Sequence, residues 1–78
     1  MYYIYLLELS DKTFYVGSTP NLKNRIKEHR SGECLSTKHK RPVKLIWYCV
    51  FEDKIKALRF EKYLKSGSGT AFRHKRLE

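Results

Sequence analysis

The chain is 78 residues long, room for one domain close to the smallest size that a hydrophobic core alone sustains. Hydrophobic residues make up 41% and aromatics 14%, which excludes a disordered chain. Lys and Arg total 17 against 8 Asp and Glu, and a net charge of +9 is the footprint of a polyanion binder rather than a requirement of solubility.

Tyr2 to Leu9 is aromatic and aliphatic at both alternating sets of positions, which predicts a strand covered on two sides. Ser10-Asp11-Lys12 reads as a turn and Thr13 to Gly17 as a second strand, so the first seventeen residues form a hairpin that Gly17 ends. Residues 1–19 carry a net charge of −1 and serve as apolar scaffold. Pro20 suits the first turn of a helix, with Ser18 or Thr19 as cap, and Asn21 to Arg30 follow without a breaker until Gly32. Leu22, Ile26 and His29 share its buried face and Arg25 borders that face, while Lys23, Lys27 and Arg30 point elsewhere.

Residues 33–42 form a polar basic loop that includes Thr37-Lys38-His39-Lys40-Arg41-Pro42, and Val43 to Phe51 then reads as a strand apolar on both faces. Residues 20–44 hold a net charge of +6, so Lys23, Lys27, Arg30, Lys38, Lys40 and Arg41 are the candidate phosphate contacts. Asp53 caps a helix running to about Lys65, Ser66-Gly67-Ser68-Gly69 breaks it, and Thr70 is placed to cap a short last helix through Arg76. The order ββαβαα describes a small α+β domain over residues 1–78, with helices packed on a sheet and neither repeat nor linker.

Cys34 and Cys49 lack metal-binding spacing, and Cys34 with His39 supplies two of the four ligands that a structural zinc site needs. The longest apolar run, Leu45 to Phe51, is too short to cross a bilayer, and the N-terminus does not read as a signal peptide. A reduced, cytoplasmic setting is therefore expected, with no membrane partner.

Ala57, Glu61 and Leu64 lie at i, i+4 and i+7 on the second helix, so a carboxylate sits on the stripe that faces the core. It needs a cation there, either an Arg or a metal. A structural Glu61–Arg25 ion pair and a functional site both answer that need. Tyr5 and Tyr15, ten positions apart on neighbouring strands, read by themselves as packing residues.

Taken together, Tyr3-Ile4-Tyr5, Tyr15-Val16-Gly17, Asn21-Leu22-Lys23-Asn24-Arg25 at a helix start and Glu61 in a later helix resemble the GIY-YIG nuclease superfamily over nearly the whole chain. The likeness is greatest to its small stand-alone members, in which Arg-Pro precedes the third strand, as Arg41-Pro42 does here. The resemblance implies a three-stranded antiparallel sheet flanked by helices and an endonuclease that hydrolyses DNA phosphodiesters with one divalent metal, Mg²⁺ or Mn²⁺. It implies that Tyr5 and Tyr15 line the site, one of them activating or orienting the attacking water. Arg25 would hold the scissile phosphate, His29 would contact phosphate or carry a proton, and Glu61 would bind the metal. Tyr3 stands where the family name has Gly, Ser18 where some repair-type members have Lys, and no Asn follows Glu61. The competing reading is a nucleic-acid-binding module that keeps the fold without cutting. Without an appended DNA-reading module, shape and phosphate contacts should dominate, with a protein partner as a source of specificity and no small-molecule cofactor.

Overall fold

Four consecutive residues, Ile4, Tyr5, Leu6 and Leu7, are wholly removed from solvent, which fixes the first strand at the centre of the molecule. The computed structural model describes residues 1–66 and Lys75. Strand β1 (Tyr2–Glu8) pairs antiparallel with β2 (Phe14–Thr19) on one side and β3 (Lys44–Phe51) on the other, in the order β2-β1-β3. Helix α1 (Leu22–Ser31) follows β2, and helix α2 (Lys54–Lys65) follows β3. A 3₁₀ turn, Lys38–Lys40, lies between α1 and β3. The architecture is α+β, a three-stranded antiparallel sheet flanked by helices.

Alternation along β1 divides the core into two layers. Ile4 and Leu6, with Val16, pack against Ala57 and Leu64 of α2, and Trp47, Phe51 and Phe60 extend that layer. Tyr5 and Leu7 point the other way and join Leu9, Val43 and Ile26 of α1. A central strand with a helix on each face must be apolar at every position, as this one is.

Among the described residues the predicted elements hold, with adjustments at their ends. β2 runs past Gly17 to Thr19, with Gly17 opposite Tyr5 in the register. Asn21, not Ser18 or Thr19, caps α1: its side chain accepts from the Asn24 N–H at 3.1 Å, which places Pro20 before the cap. Thr19 instead accepts from the Asn21 N–H. Gly32 ends α1 at φ 86°, and the Glu33 N–H reaches back to the Glu28 carbonyl at 3.0 Å, as in a Schellman closure. Asp53 caps α2 through the Ile55 N–H, as its position predicts. β3 is not covered on both faces, because Tyr48 and Val50 are about half exposed. The predicted last helix from Thr70 and the Gly67 and Gly69 break lie outside the described residues.

Candidate active site

Gly17 decides where the Tyr5 ring goes. The two face each other across β1 and β2, and a Cβ on residue 17 would collide with the Tyr5 hydroxyl and ring tip and stand 2.9 Å from Tyr15 Cε1. With only hydrogen there, the Tyr5 phenol crosses the strand backbone and reaches α1. Its oxygen lies 2.8 Å from His29 Nε2, and His29 Nδ1 lies 2.7 Å from Thr37 Oγ1. Tyr5, His29 and Thr37 are all fully buried, so this chain of three side chains satisfies polar groups that would otherwise be stranded. Tyr15, half-buried, meets the edge of the His29 ring at 5.2 Å and lies 6.2 Å from the Tyr5 ring.

Arg25, one turn before His29, supplies the cation at this cluster. Its Nε pairs with Glu28 Oε1 at 3.0 Å, so Glu28 engages the inner nitrogen of the fork rather than its terminal ones. Asn24 in turn donates to the other Glu28 oxygen. Burial lifts the Tyr5 phenol above its ordinary value of 10, an effect that the neighbouring Arg25 reduces without cancelling, so Tyr5 stays protonated near neutrality. Burial also pulls His29 below its ordinary 6.5, and the Arg25 charge adds to it against an opposing pull from Glu28. Burial acts against the Arg25 charge, but Tyr5 and Glu28 outweigh it and the guanidinium is held still more firmly as a cation.

Glu61 does not pair with Arg25, so of the two readings of its inward position the structural ion pair with Arg25 falls away. Its Oε1 accepts from Ser18 Oγ at 2.8 Å and its Oε2 pairs with Lys65 Nζ at 2.9 Å. The reason is topological: α1 and α2 cover opposite faces of the sheet, and Ser18 points to the α2 face as its neighbour Gly17 meets Tyr5 on the other. Glu61 thus joins the cluster along β2 rather than across a shared cavity. Its side chain is 17% exposed, so the carboxylate is largely but not wholly buried. No group of three metal-binding side chains occurs among the described residues, and Cys34 and Cys49 are free thiols. A single carboxylate still suits Mg²⁺, which keeps most of its waters and borrows oxygens from a substrate phosphate. Among the described residues of the cluster, Glu61 is the carboxylate that could hold such an ion.

The six candidate phosphate contacts are divided. Lys23, Lys27 and Arg30 line a groove of about 900 Å³ beside α1. Lys38 is exposed on the 3₁₀ turn, Lys40 pairs with Asp11 at 3.3 Å, and Arg41 donates to the Lys38 and Arg30 carbonyls. Sequence reasoning missed Thr37, which sits in a loop of unpatterned polar residues. It also missed Glu28 and Lys65, whose i+3 and i+4 spacings from Arg25 and Glu61 are the signals that mark them.

The GIY-YIG catalytic domain profile matches residues 1–75. The chain belongs to the GIY-YIG domain family. A UPF0213 protein of Syntrophus aciditrophicus is 41% identical over 68 residues, covering 85% of this chain and 78% of that one. One from Streptococcus pyogenes serotype M5 is 41% identical over 64 residues, covering 81% and 70%. The solution NMR structure of a UPF0213 protein from Bacillus halodurans superposes with a TM-score of 0.60 at 32% identity, covering 96% of this chain and 84% of that one. GIY-YIG membership makes this a nuclease-type fold, of a kind that takes nucleic acid as substrate and in general uses divalent metal. In that fold, the Tyr of the first motif, the Gly of the second and the helix His are here one packing unit.

Proposed function

We propose that the chain is a metal-dependent endonuclease that hydrolyses phosphodiester bonds in structured or single-stranded DNA with little sequence preference, in the cytoplasm. The observation that carries this reading is the Tyr5–His29–Thr37 chain under Gly17, with Tyr15 and Arg25 at its open edge. Arg25 binds the scissile phosphate through its terminal nitrogens and offsets charge that builds on it in the transition state. Tyr15, the phenol with access to solvent, orients the attacking water. Tyr5 is wholly buried and holds the His29 ring, which keeps the floor of the site rigid. Glu61 would hold Mg²⁺ or Mn²⁺, which when bound neutralises charge on the phosphate and the leaving oxygen.

One observation favours the alternative, a binding module that does not cut. Lys65 Nζ lies on Glu61 Oε2, where it competes with a metal for the same carboxylate. That pair is exposed on its Lys65 side and is weak enough for a divalent ion to displace. The deciding experiment incubates pure protein with labelled flaps, nicked duplexes and single strands, in Mg²⁺, in Mn²⁺ and in chelator. Metal-dependent cleavage that disappears in chelator is expected. Binding without cleavage under every condition would replace the nuclease with the module.

A further inference from the structure

Lys23, Lys27 and Arg30 repeat at i, i+4 and i+7, so they form one stripe about 10 Å long on α1, at the usual helical rise of about 1.5 Å per residue. Among the described residues none of the three has an acidic partner, whereas Arg25, Lys40 and Lys65 each have one. The stripe borders the 900 Å³ groove, in whose lining Tyr3 and Tyr48 stand with Leu22 and Leu45. The two rings are 6.4 Å apart and tilted by 51°, and Tyr48 is 53% exposed. A half-exposed ring on an edge strand, in an apolar groove rimmed by three cations, has the make-up of a binding surface. The pairing of cations with aromatics also selects the occupant. Duplex DNA hides the faces of its bases and offers phosphates and base edges, so it would leave the rings without a stacking partner. An unpaired strand offers both, a base face for the ring and phosphates for the cations.

We propose that this groove holds an unpaired nucleic-acid strand, with a base stacked on Tyr48 and neighbouring phosphates on Lys23, Lys27 and Arg30. The proposal rests on nucleic acid being the partner, and it narrows the substrate to one with a single-stranded segment next to the bond that is cut. Tyr48 is opposite Tyr5 in the strand register, and Ile26 on the groove wall follows Arg25 in α1. A strand seated in the groove is therefore one strand spacing from the reactive cluster.

The test is fluorescence anisotropy in chelator with four probes of equal length: oligothymidylate, oligouridylate, an abasic deoxyribose-phosphate backbone and a duplex. Oligothymidylate should bind more tightly than the abasic backbone or the duplex. Tyr48→Ala should weaken oligothymidylate about five-fold or more and leave abasic binding unchanged, since it removes a stacking face and no charge. Tyr48→Phe should restore affinity, and Tyr48→Thr, which keeps strand propensity, should match Tyr48→Ala and guards against a misfolded variant. Lys27→Gln should weaken every probe. Oligouridylate should respond to these variants as oligothymidylate does, because neither contact reads the sugar. Unchanged oligothymidylate binding by Tyr48→Ala, or equal losses on abasic and base-bearing strands, would overturn the proposal. The assay contains no metal, so a protein that cuts normally while Tyr48 proves irrelevant loses only the groove. A protein that binds as expected and never cuts loses only the nuclease.

Discussion

Substituting Gly17 by Ala tests whether the second motif's glycine exists to admit the Tyr5 hydroxyl. The new methyl would overlap the Tyr5 hydroxyl and ring tip, and it would press Tyr15 Cε1 at 2.9 Å as well. The Tyr5 ring has nowhere to retreat, since it is fully buried and its oxygen is bound to His29 Nε2 at 2.8 Å. Overpacking of this kind costs about 1–3 kcal/mol. Pushing the hydroxyl off His29 strands a buried nitrogen and costs about 1–3 kcal/mol more. The expected total, about 2–6 kcal/mol, is a large part of the stability of a chain this short, about 4–12 kcal/mol. A melt followed by circular dichroism should show a drop of about 8 °C or more, as about 4–8 °C accompanies each kcal/mol in a domain of this size. Tyr5→Leu removes the atoms that collide, so Gly17→Ala should cost much less in that background. A drop below about 4 °C in the otherwise native chain, or an equal cost in both backgrounds, would refute the close-packing argument.

Three further outcomes are expected. Because the folded His29 has a depressed pKa, the unfolded chain takes up a proton first as pH falls past the ordinary 6.5, so stability should decline from pH 7 toward 5. His29→Gln should flatten that part of the curve, which urea titrations across the range will show. The exposed Asp11, held down chiefly by Thr13, acts only nearer its ordinary 3.8 and leaves this window clear. Arg25→Lys keeps the charge but loses the fork, so cleavage should fall about 10²-fold or more, with binding changed several-fold at most, as gel-based rates and anisotropy will separate. Glu61→Gln should abolish cleavage and any stabilisation by Mg²⁺. In chelator its melt should stay within about 1 kcal/mol of the native protein, since the pair it loses is with a Lys65 that is 55% exposed.

What was legible in the sequence was what depends on near neighbours. The unbroken apolar run at Ile4–Leu7 marks a central strand, the spacing of Leu22, Ile26 and His29 marks the inner face of α1, and Asp53 marks the start of α2. Local chemistry failed where two caps compete: Asn21 was chosen over Ser18 and Thr19 because β2 continues through both of them. The long strand itself follows from Gly17 pairing with Tyr5, a contact between residues twelve apart that a turn-forming glycine conceals. One partner of Glu61, Ser18, was beyond reach for a similar reason, whereas Lys65 is marked by its i+4 spacing on the same helix. Helical periodicity places the carboxylate on the inward stripe, but only the sheet order, with α1 and α2 on opposite faces, reveals that Ser18 meets it instead of Arg25.

The cluster around His29 divides into an inner half that is wholly buried and an outer half that reaches solvent. Removing the Tyr5 hydroxyl leaves His29 Nε2 buried without a partner, and Thr37→Val does the same to Nδ1, at about 1–3 kcal/mol each. The proton order is shared as well. If Nδ1–H donates to Thr37, then Nε2 accepts from Tyr5, and the opposite tautomer reverses both bonds together, so the three side chains hold one arrangement or the other as a unit. Tyr15 and Arg25 are half-buried at the rim of this chain, Tyr15 with its ring 5.2 Å from that of His29 and Arg25 coupled to the Tyr5 phenol. A packed helix histidine and a site histidine are therefore not rival descriptions of His29. The same two bonds that satisfy it in the core hold it rigidly beneath the two groups that face solvent.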